Sequence, residues 1–145
     1  NMDIKEVKNN ELRKNIIYIN QNLKLFDKDL KYNLLYGCNH NECDLYYNDL
    51  KNDSIIQKLF HNEDFKKIRA GSLGENLSGG QNQIINILNG LINKSKILIL
   101  DEPTRNLDYK LKKYLKKLIL KYKDNHNIIY YNYLLIKKYF TFKNK

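Results

Sequence analysis

The sequence predicts an α/β fold built on a mostly parallel sheet flanked by helices. Three observations carry that reading. Ile97-Leu98-Ile99-Leu100 is a continuous apolar run stopped by Asp101-Glu102-Pro103. That is the pattern of a strand buried on both faces of a parallel sheet. Just before it, Ile84, Ile87, Leu88, Leu91 and Ile92 follow the i, i+3, i+4, i+7, i+8 spacing of a one-faced helix. Just after it, helical spacing returns at Leu111, Tyr114, Leu115, Leu118 and Ile119, and a second apolar run, Ile128-Ile129-Tyr130-Tyr131, follows. Helix, strand, helix, strand in that order builds a parallel sheet.

The remaining elements are shorter. Residues 15–19 (Asn-Ile-Ile-Tyr-Ile) read as a buried strand that ends in the polar Asn20-Gln21-Asn22. From Asp27 to about Lys67 the pattern is helical in several pieces. Leu30, Asn33, Leu34 and Gly37 mark one; Ile55, Ile56, Leu59 and Phe60 mark another; Asn39-His40-Asn41 and Asn52-Asp53 are the breaks. Four of the six glycines, Gly71, Gly74, Gly79 and Gly80, fall within residues 70–80, ahead of the helix at 84–92.

Composition bounds the function. A chain of 145 residues suits one domain, and 42% hydrophobic residues supply a core. Six Gly and one Pro exclude collagen-like, Pro-rich and linker classes. No apolar run approaches the roughly 18 residues of a membrane span, so none is expected in this chain. Asn1 to Glu6 is polar and charged, unlike a signal or transit peptide. Two Cys make no disulfide framework, and reduced thiols in a cytosol-facing protein are expected. Cys38, His40 and Cys43 lack the fourth ligand and spacing of a zinc site. The net charge of +10 invites a nucleic-acid reading, but all the basic residues except Arg13, Arg69 and Arg105 are Lys. Bidentate recognition of bases and phosphates favours Arg. The Lys are spread along the chain, so no specific nucleic-acid partner is expected. The Lys-rich stretch at 110–123 reads as a solvated face, and His61 and His126 as exposed loop residues.

Two segments carry chemistry. Leu77-Ser78-Gly79-Gly80-Gln81 opens a helix. Adjacent glycines let the backbone approach an anion, and the helix start presents free N–H groups to it. An ordinary Ser-Gly-Gly cap would look the same. Ile97 to Thr104 delivers two adjacent carboxylates, Asp101 and Glu102, at the C-terminal end of a strand, where α/β sheets place ligands. Strand alternation would send one toward Mg²⁺ and the other toward a nucleophilic water. A capping Asp-Glu pair is the plainer alternative.

Taken together these segments resemble the nucleotide-binding domain of the ABC ATPases, whose fold is P-loop NTPase-like with an α-helical subdomain. Leu77 to Gln81 matches the family's signature motif, and Ile97 to Glu102 its Walker B strand with the catalytic glutamate. Asn106-Leu107-Asp108 resembles the D-loop. Ile17-Tyr18-Ile19-Asn20-Gln21 resembles the Q-loop. The stretch from Leu25-Phe26-Asp27 to Gly37 is similar to exporters of the half-transporter type, and Ala70 to Gly74 sits where exporters carry a loop that contacts their membrane domain. The resemblance implies a helical subdomain over about 27–75 and a signature, Walker B, D-loop and switch unit over 76–135.

It also implies roles. Two such domains pack head-to-tail with ATP between them. Leu77, Ser78, Gly79, Gly80 and Gln81 would cover the nucleotide of the partner domain, and Asp108 would cross the interface. Asp101 and Gln21 would hold Mg²⁺. Glu102 would act as general base, with Gln21 and Tyr133 beside the reaction. The expected setting is the cytoplasmic face of a membrane, reached through a transmembrane partner.

The departures are as informative. No G-x-x-x-x-G-K-[ST] occurs among the residues, so the phosphate-cradling P-loop is missing; in the family it precedes the Q-loop. The resemblance therefore implies the distal part of a cassette, incomplete at the N-terminus and inactive in isolation. Tyr133 stands where the family has its switch histidine, Asn20 where exporters have Pro, and Asn82 and Ile84 where Arg is common. A phenol cannot serve as a near-neutral acid or base. Besides an exporter ATPase, two readings stay open: a soluble ABC-type ATPase acting on nucleic acid or ribosomes, and a non-catalytic remnant that binds a partner.

Overall fold

The structure is a computed structural model that describes residues 4–20, 22–122 and 127–131. A short 3-10 turn at Ile4–Glu6 leads into α1 (Asn9–Asn15) and β1 (Ile16–Ile19). Three short helices follow: α2 (Leu30–Leu35), α3 (Cys43–Lys51) and α4 (Ser54–Leu59). A second 3-10 turn at Ser72–Gly74 precedes α5 (Gly79–Ile92), β2 (Ile97–Asp101), α6 (Tyr109–Tyr122) and β3 (Asn127–Tyr131). The strands pair in parallel in the order β1-β2-β3. Ile17 lies opposite Leu98, and Leu98 opposite Ile128.

The long apolar helix α5 covers one face of this sheet. Ile84, Ile85, Ile87, Leu88 and Ile92 are fully buried, as are Leu98 and Leu100 of β2. Each such side chain contributes on the order of 1.5–3 kcal/mol of transfer free energy. Gly90 sets how closely helix and sheet approach. A Cβ there would stand 3.0 Å from Leu98 Cδ1 and 3.3 Å from an Ile19 side-chain carbon.

Buried amides tie the short helices to this core. Asn33 is 4% exposed. Its Oδ1 accepts from Phe26 N at 2.9 Å and its Nδ2 donates to Phe26 O at 3.1 Å, pinning the chain that follows residue 22. Asn89 Nδ2 donates to the carbonyls of Asn33, Leu34 and Tyr36 at 2.8–3.1 Å, and Asn93 Nδ2 to Tyr36 O at 3.1 Å. The last carbonyls of α2, which have no partner within their own helix, are thereby satisfied by α5.

Three expectations change, and one element is not anticipated. Asn15 ends α1 instead of opening β1, because its Nδ2 closes back on Glu11 O at 2.7 Å. The polar N-terminal stretch itself forms α1, a helix with no buried residue that apolar spacing does not announce. β2 is not buried evenly: Leu98 and Leu100 are fully covered, whereas Ile97 and Ile99 are only half-buried. On that second face, in register with Ile99, Tyr18 is 51% and Ile129 40% exposed. The thiols are not free: Cys38 and Cys43 form a disulfide. The loop between them folds so that their Cα atoms lie 6.1 Å apart, inside the bridging range. His61 is exposed as expected, while His126 lies outside the described residues. The lysines of α6 face solvent, and Tyr114, Leu115 and Leu118 face the core.

Candidate functional site

The head of α5 is built by a reciprocal cap. Ser78 Oγ accepts from Gln81 N at 3.2 Å, and Gln81 Oε1 accepts from Ser78 N at 2.8 Å. Two of the helix's free donors are satisfied in this way. Gln81 Nε2 also donates to Leu59 O at 2.8 Å, which anchors the cap to the end of α4. Gly80 is where the turn at 104–107 comes closest: a Cβ there would meet Asn106 O at 3.1 Å. Any larger residue would push the 104–107 turn away. Gly79 is exposed, Gly80 half-buried, and Leu77 packs against the core.

β2 ends at Asp101, and the two carboxylates part there. Asp101 lies on the same face as Ile99 and accepts a 2.6 Å hydrogen bond at Oδ2 from the Tyr18 hydroxyl of β1. That bond, with desolvation and the carboxylate's charge behind it, raises the Tyr18 pKa above the ordinary tyrosine value, so the phenol stays a donor. Glu102 does not continue the alternation of the strand, contrary to expectation. Its φ is +46°, a left-handed conformation that opens the following turn and re-aims the side chain. Its carbonyl accepts from Arg105 N at 3.1 Å and from Gln83 Nε2 at 3.1 Å. Its carboxylate accepts from Arg105 Nη1 at 3.3 Å and is 22% exposed. Downstream, Asp108 Oδ1 accepts from Leu111 N at 2.8 Å, so Asp108 caps the first turn of α6.

A polar cavity of about 220 Å³ lies between the end of β1 and the head of α5, lined by Asn20, Asn22, Gly79, Gln83, Asn86 and Asn106 among others. Asn86 Nδ2 donates to Leu23 O at 3.0 Å and holds its rim. Gln83 is 7% exposed, and its Oε1 has no hydrogen-bond partner among the described residues. Gln21 and Tyr133, both candidate site residues, lie outside the described residues. Of the others, the fold brings Asp101 and Glu102 to the end of the central strand and sets Gly79 and Gly80 against the turn at 104–107. Ser78 N and Oγ both engage Gln81, and its carbonyl accepts from Asn82 N at 2.9 Å.

The sequence places Tyr18 and Asn106 inside stretches that resemble family motifs but gives neither them nor Gln83 a role of its own. Tyr18 is found only from the β1–β2 register, which sets it beside Ile99, two residues from Asp101 on the same face. Gln83 is a polar residue inside an apolar helical pattern, a usable signal that names no partner. Asn106 acts through its backbone, which no side-chain pattern reveals.

A parallel sheet under a capped helix, with a carboxylate at the end of its central strand, defines an α/β fold with its candidate site at the strand ends. Residues 1–105 match the ABC transporter family. The chain belongs to that family. The lactococcin-G-processing and transport ATP-binding protein LagD of Lactococcus lactis is 30% identical over 142 residues, which cover 94% of this chain and 20% of that protein. The ATP-dependent lipid A-core flippase of Legionella pneumophila is 34% identical over 124 residues, 79% of this chain and 20% of that protein. A bacterial Atm1-family ABC exporter solved with ATP bound superposes with a TM-score of 0.74 at 24% identity, covering 89% of this chain and 23% of that one. That likeness speaks to fold alone. The chain spans about a fifth of the length of the relatives it matches. Among the described residues no helix is long and apolar enough to cross a membrane.

Proposed function

We propose that this chain is the signature and Walker B part of the nucleotide-binding domain of an exporter-type ABC transporter, binding ATP with Mg²⁺ at a head-to-tail interface and coupling hydrolysis to transport. The carrying observation is the joint between the two motifs: Gln83 of the signature helix holds the Glu102 carbonyl, and Gly80 admits the D-loop carbonyl of Asn106. That joint fixes the second carboxylate relative to the helix whose N-terminus would face an anion.

The residues present suit the implied groups. Asp101 is a half-exposed hard oxygen donor at a strand end, as Mg²⁺ requires, and Tyr18 orients its carboxylate. Bound Mg²⁺ would neutralise charge developing on the transferred phosphoryl group. Glu102 is the general base: it is held at its backbone, and its carboxylate is only loosely engaged by Arg105. Leu77, Ser78, Gly79, Gly80 and Gln81 cover the nucleotide of the opposite domain, and Asp108 reaches that domain after capping α6. Gln21 links the Mg²⁺ site to the membrane domain, and Tyr133 replaces the switch residue. The P-loop comes from a segment preceding this one or from a partner chain. The face bearing exposed Tyr18 and Ile129 is a surface for that segment to cover. Residues 27–75 form the helical subdomain and 76–135 the catalytic and signature unit. The assembly lies at the cytoplasmic face of a membrane, held there by a transmembrane domain.

The test is Glu102→Gln in a cassette supplied with a P-loop. Nucleotide binding is retained, turnover falls by about a hundredfold or more, and an ATP-bound dimer accumulates. Tyr133→His raises turnover in the same assay. Unchanged turnover in both variants would favour a non-catalytic remnant.

A further inference from the structure

The loop between α2 and α3 carries chemistry that ATP hydrolysis does not use. Cys38 and Cys43 are bridged, and both are only half-buried, so a small thiol reagent reaches them. Asn39, Asn41 and Glu42 between them are exposed. His40 sits against the bridge, with Nε2 3.4 Å from Cys38 Sγ.

Two thiols and an imidazole within 4.8 Å of one another suggest a metal site. The hydrogen bonds of His40 argue against it. Nε2 lies 2.7 Å from Ile92 O, and a carbonyl only accepts, so Nε2 carries the ring proton. Nδ1 accepts from Glu42 N at 3.2 Å. The neutral ring therefore has both nitrogens engaged, and the one nearest sulfur offers a hydrogen where a metal needs a lone pair. The cluster also supplies three donors where structural zinc takes four.

The same contacts suit a thiol–disulfide pair. Cys43 is the first residue of the nine-residue α3, and a helix N-terminus favours the thiolate over the thiol. The His40 Nε2–H, given to Ile92 O at 2.7 Å while the bridge is closed, lies 3.4 Å from Cys38 Sγ and can turn to that sulfur once it carries charge and the carbonyl is released. Closing so short a loop contributes less than closing a longer one would, so opening the bridge costs only a modest part of the fold's stability. The bridge also borders the signature helix: Ile92 is the last residue of α5, and His40 holds its carbonyl.

We infer that Cys38 and Cys43 form a reversible redox-modification site for a low-molecular-weight disulfide of the glutathione class, and that the closed bridge fixes residues 37–42 against the end of α5. On oxidation the Cys43 thiolate attacks one sulfur of the glutathione disulfide and expels a glutathione thiolate. Cys38 gives up its proton, and its thiolate attacks Cys43 Sγ and expels the second glutathione thiolate. Both glutathione thiolates are protonated by the protons the two cysteines lose, so one protein dithiol is oxidised as one glutathione disulfide is reduced.

The experiment equilibrates residues 1–145 across a series of reduced to oxidised glutathione ratios, native and in urea, and reads bridge content by alkylation and mass. Native structure holds the two sulfurs together, so the equilibrium constant for bridge formation rises about tenfold or more over that in urea. Equal constants overturn the proposal. In Cys38→Ser the remaining Cys43 thiol alkylates several-fold faster at neutral pH in the native chain than in urea; an equal or slower rate removes the helix-terminus argument and with it the assigned nucleophile. Hydrogen exchange adds a readout that no variant is needed for: reduction speeds exchange in residues 37–42 and in the last turn of α5, leaving β2 unchanged. No change in either segment, or one equivalent of zinc retained by the reduced chain after dialysis, also overturns it.

Discussion

Gln83 offers a sharp test of how the two motifs are joined. Its amide has one useful end and one idle end: Nε2 donates to the Glu102 carbonyl at 3.1 Å, and Oε1 is buried without a partner among the described residues. Gln83→Leu keeps the volume and loses the bond. The carbonyl retains its second donor, Arg105 N at 3.1 Å, so it is not orphaned, and the idle Oε1 disappears as well. The loss is therefore one ordinary hydrogen bond, about 1 kcal/mol or less. Gln83→Glu keeps the shape and reverses the chemistry. An ionised carboxylate would face a carbonyl oxygen with no donor, at a site only 7% exposed. Such an unpaired charge costs about 3 kcal/mol or more unless the group takes up a proton. Protonation of the introduced carboxyl restores a donor to the Glu102 carbonyl, so the folded state raises the pKa of that carboxyl above its unfolded value. The variant is accordingly least impaired below the unfolded pKa of about 4.3 and worsens as pH rises through the folded value. Urea unfolding followed by far-UV circular dichroism at pH 7 and pH 5 measures both variants. If Gln83→Glu lies within about 0.5 kcal/mol of Gln83→Leu at pH 7, or the gap ignores pH, the donor at Gln83 is not what holds Glu102.

Two further outcomes follow from the same geometry. Ser78→Ala removes the acceptor for Gln81 N and lowers stability by about 1 kcal/mol in urea unfolding, whereas Ser78→Asp, which keeps a side-chain acceptor, recovers most of it. For Tyr18 the folded pKa is raised, so its hydrogen bond to Asp101 is fully present below the ordinary tyrosine pKa of about 10 and is lost as pH rises through the folded value. Burial raises the Tyr47 pKa as well, so ultraviolet titration of tyrosinate shows two late-ionising groups, one of which disappears in Tyr18→Phe and moves back toward the other tyrosines in Asp101→Asn while the other stays.

Much of the frame was legible because it depends on local period and on chemistry carried by adjacent residues. The apolar run at 97–100 demands a buried strand wherever it is placed, and the 3.6-residue repeat at 84–92 demands a covered helix face. The Ser78-Gly79-Gly80-Gln81 cap is also a local device: each of its hydrogen bonds spans three residues. What the sequence could not supply were the contacts made across long separations. The Tyr18–Asp101 bond spans 83 residues and exists only because β1 and β2 pair in one register. The carbonyl of Glu102 meets Gln83 because the strand breaks into a left-handed turn at that residue, which strand alternation cannot foresee. The uneven burial of β2 depends on α5 covering one face while Tyr18 and Ile129 remain exposed on the other. The bridge between Cys38 and Cys43 is near in sequence, yet spacing alone does not announce it; it accompanies the contact of His40 with the end of α5. Periodicity fixes which face of an element is apolar; only packing decides which polar atoms that burial brings within bonding distance.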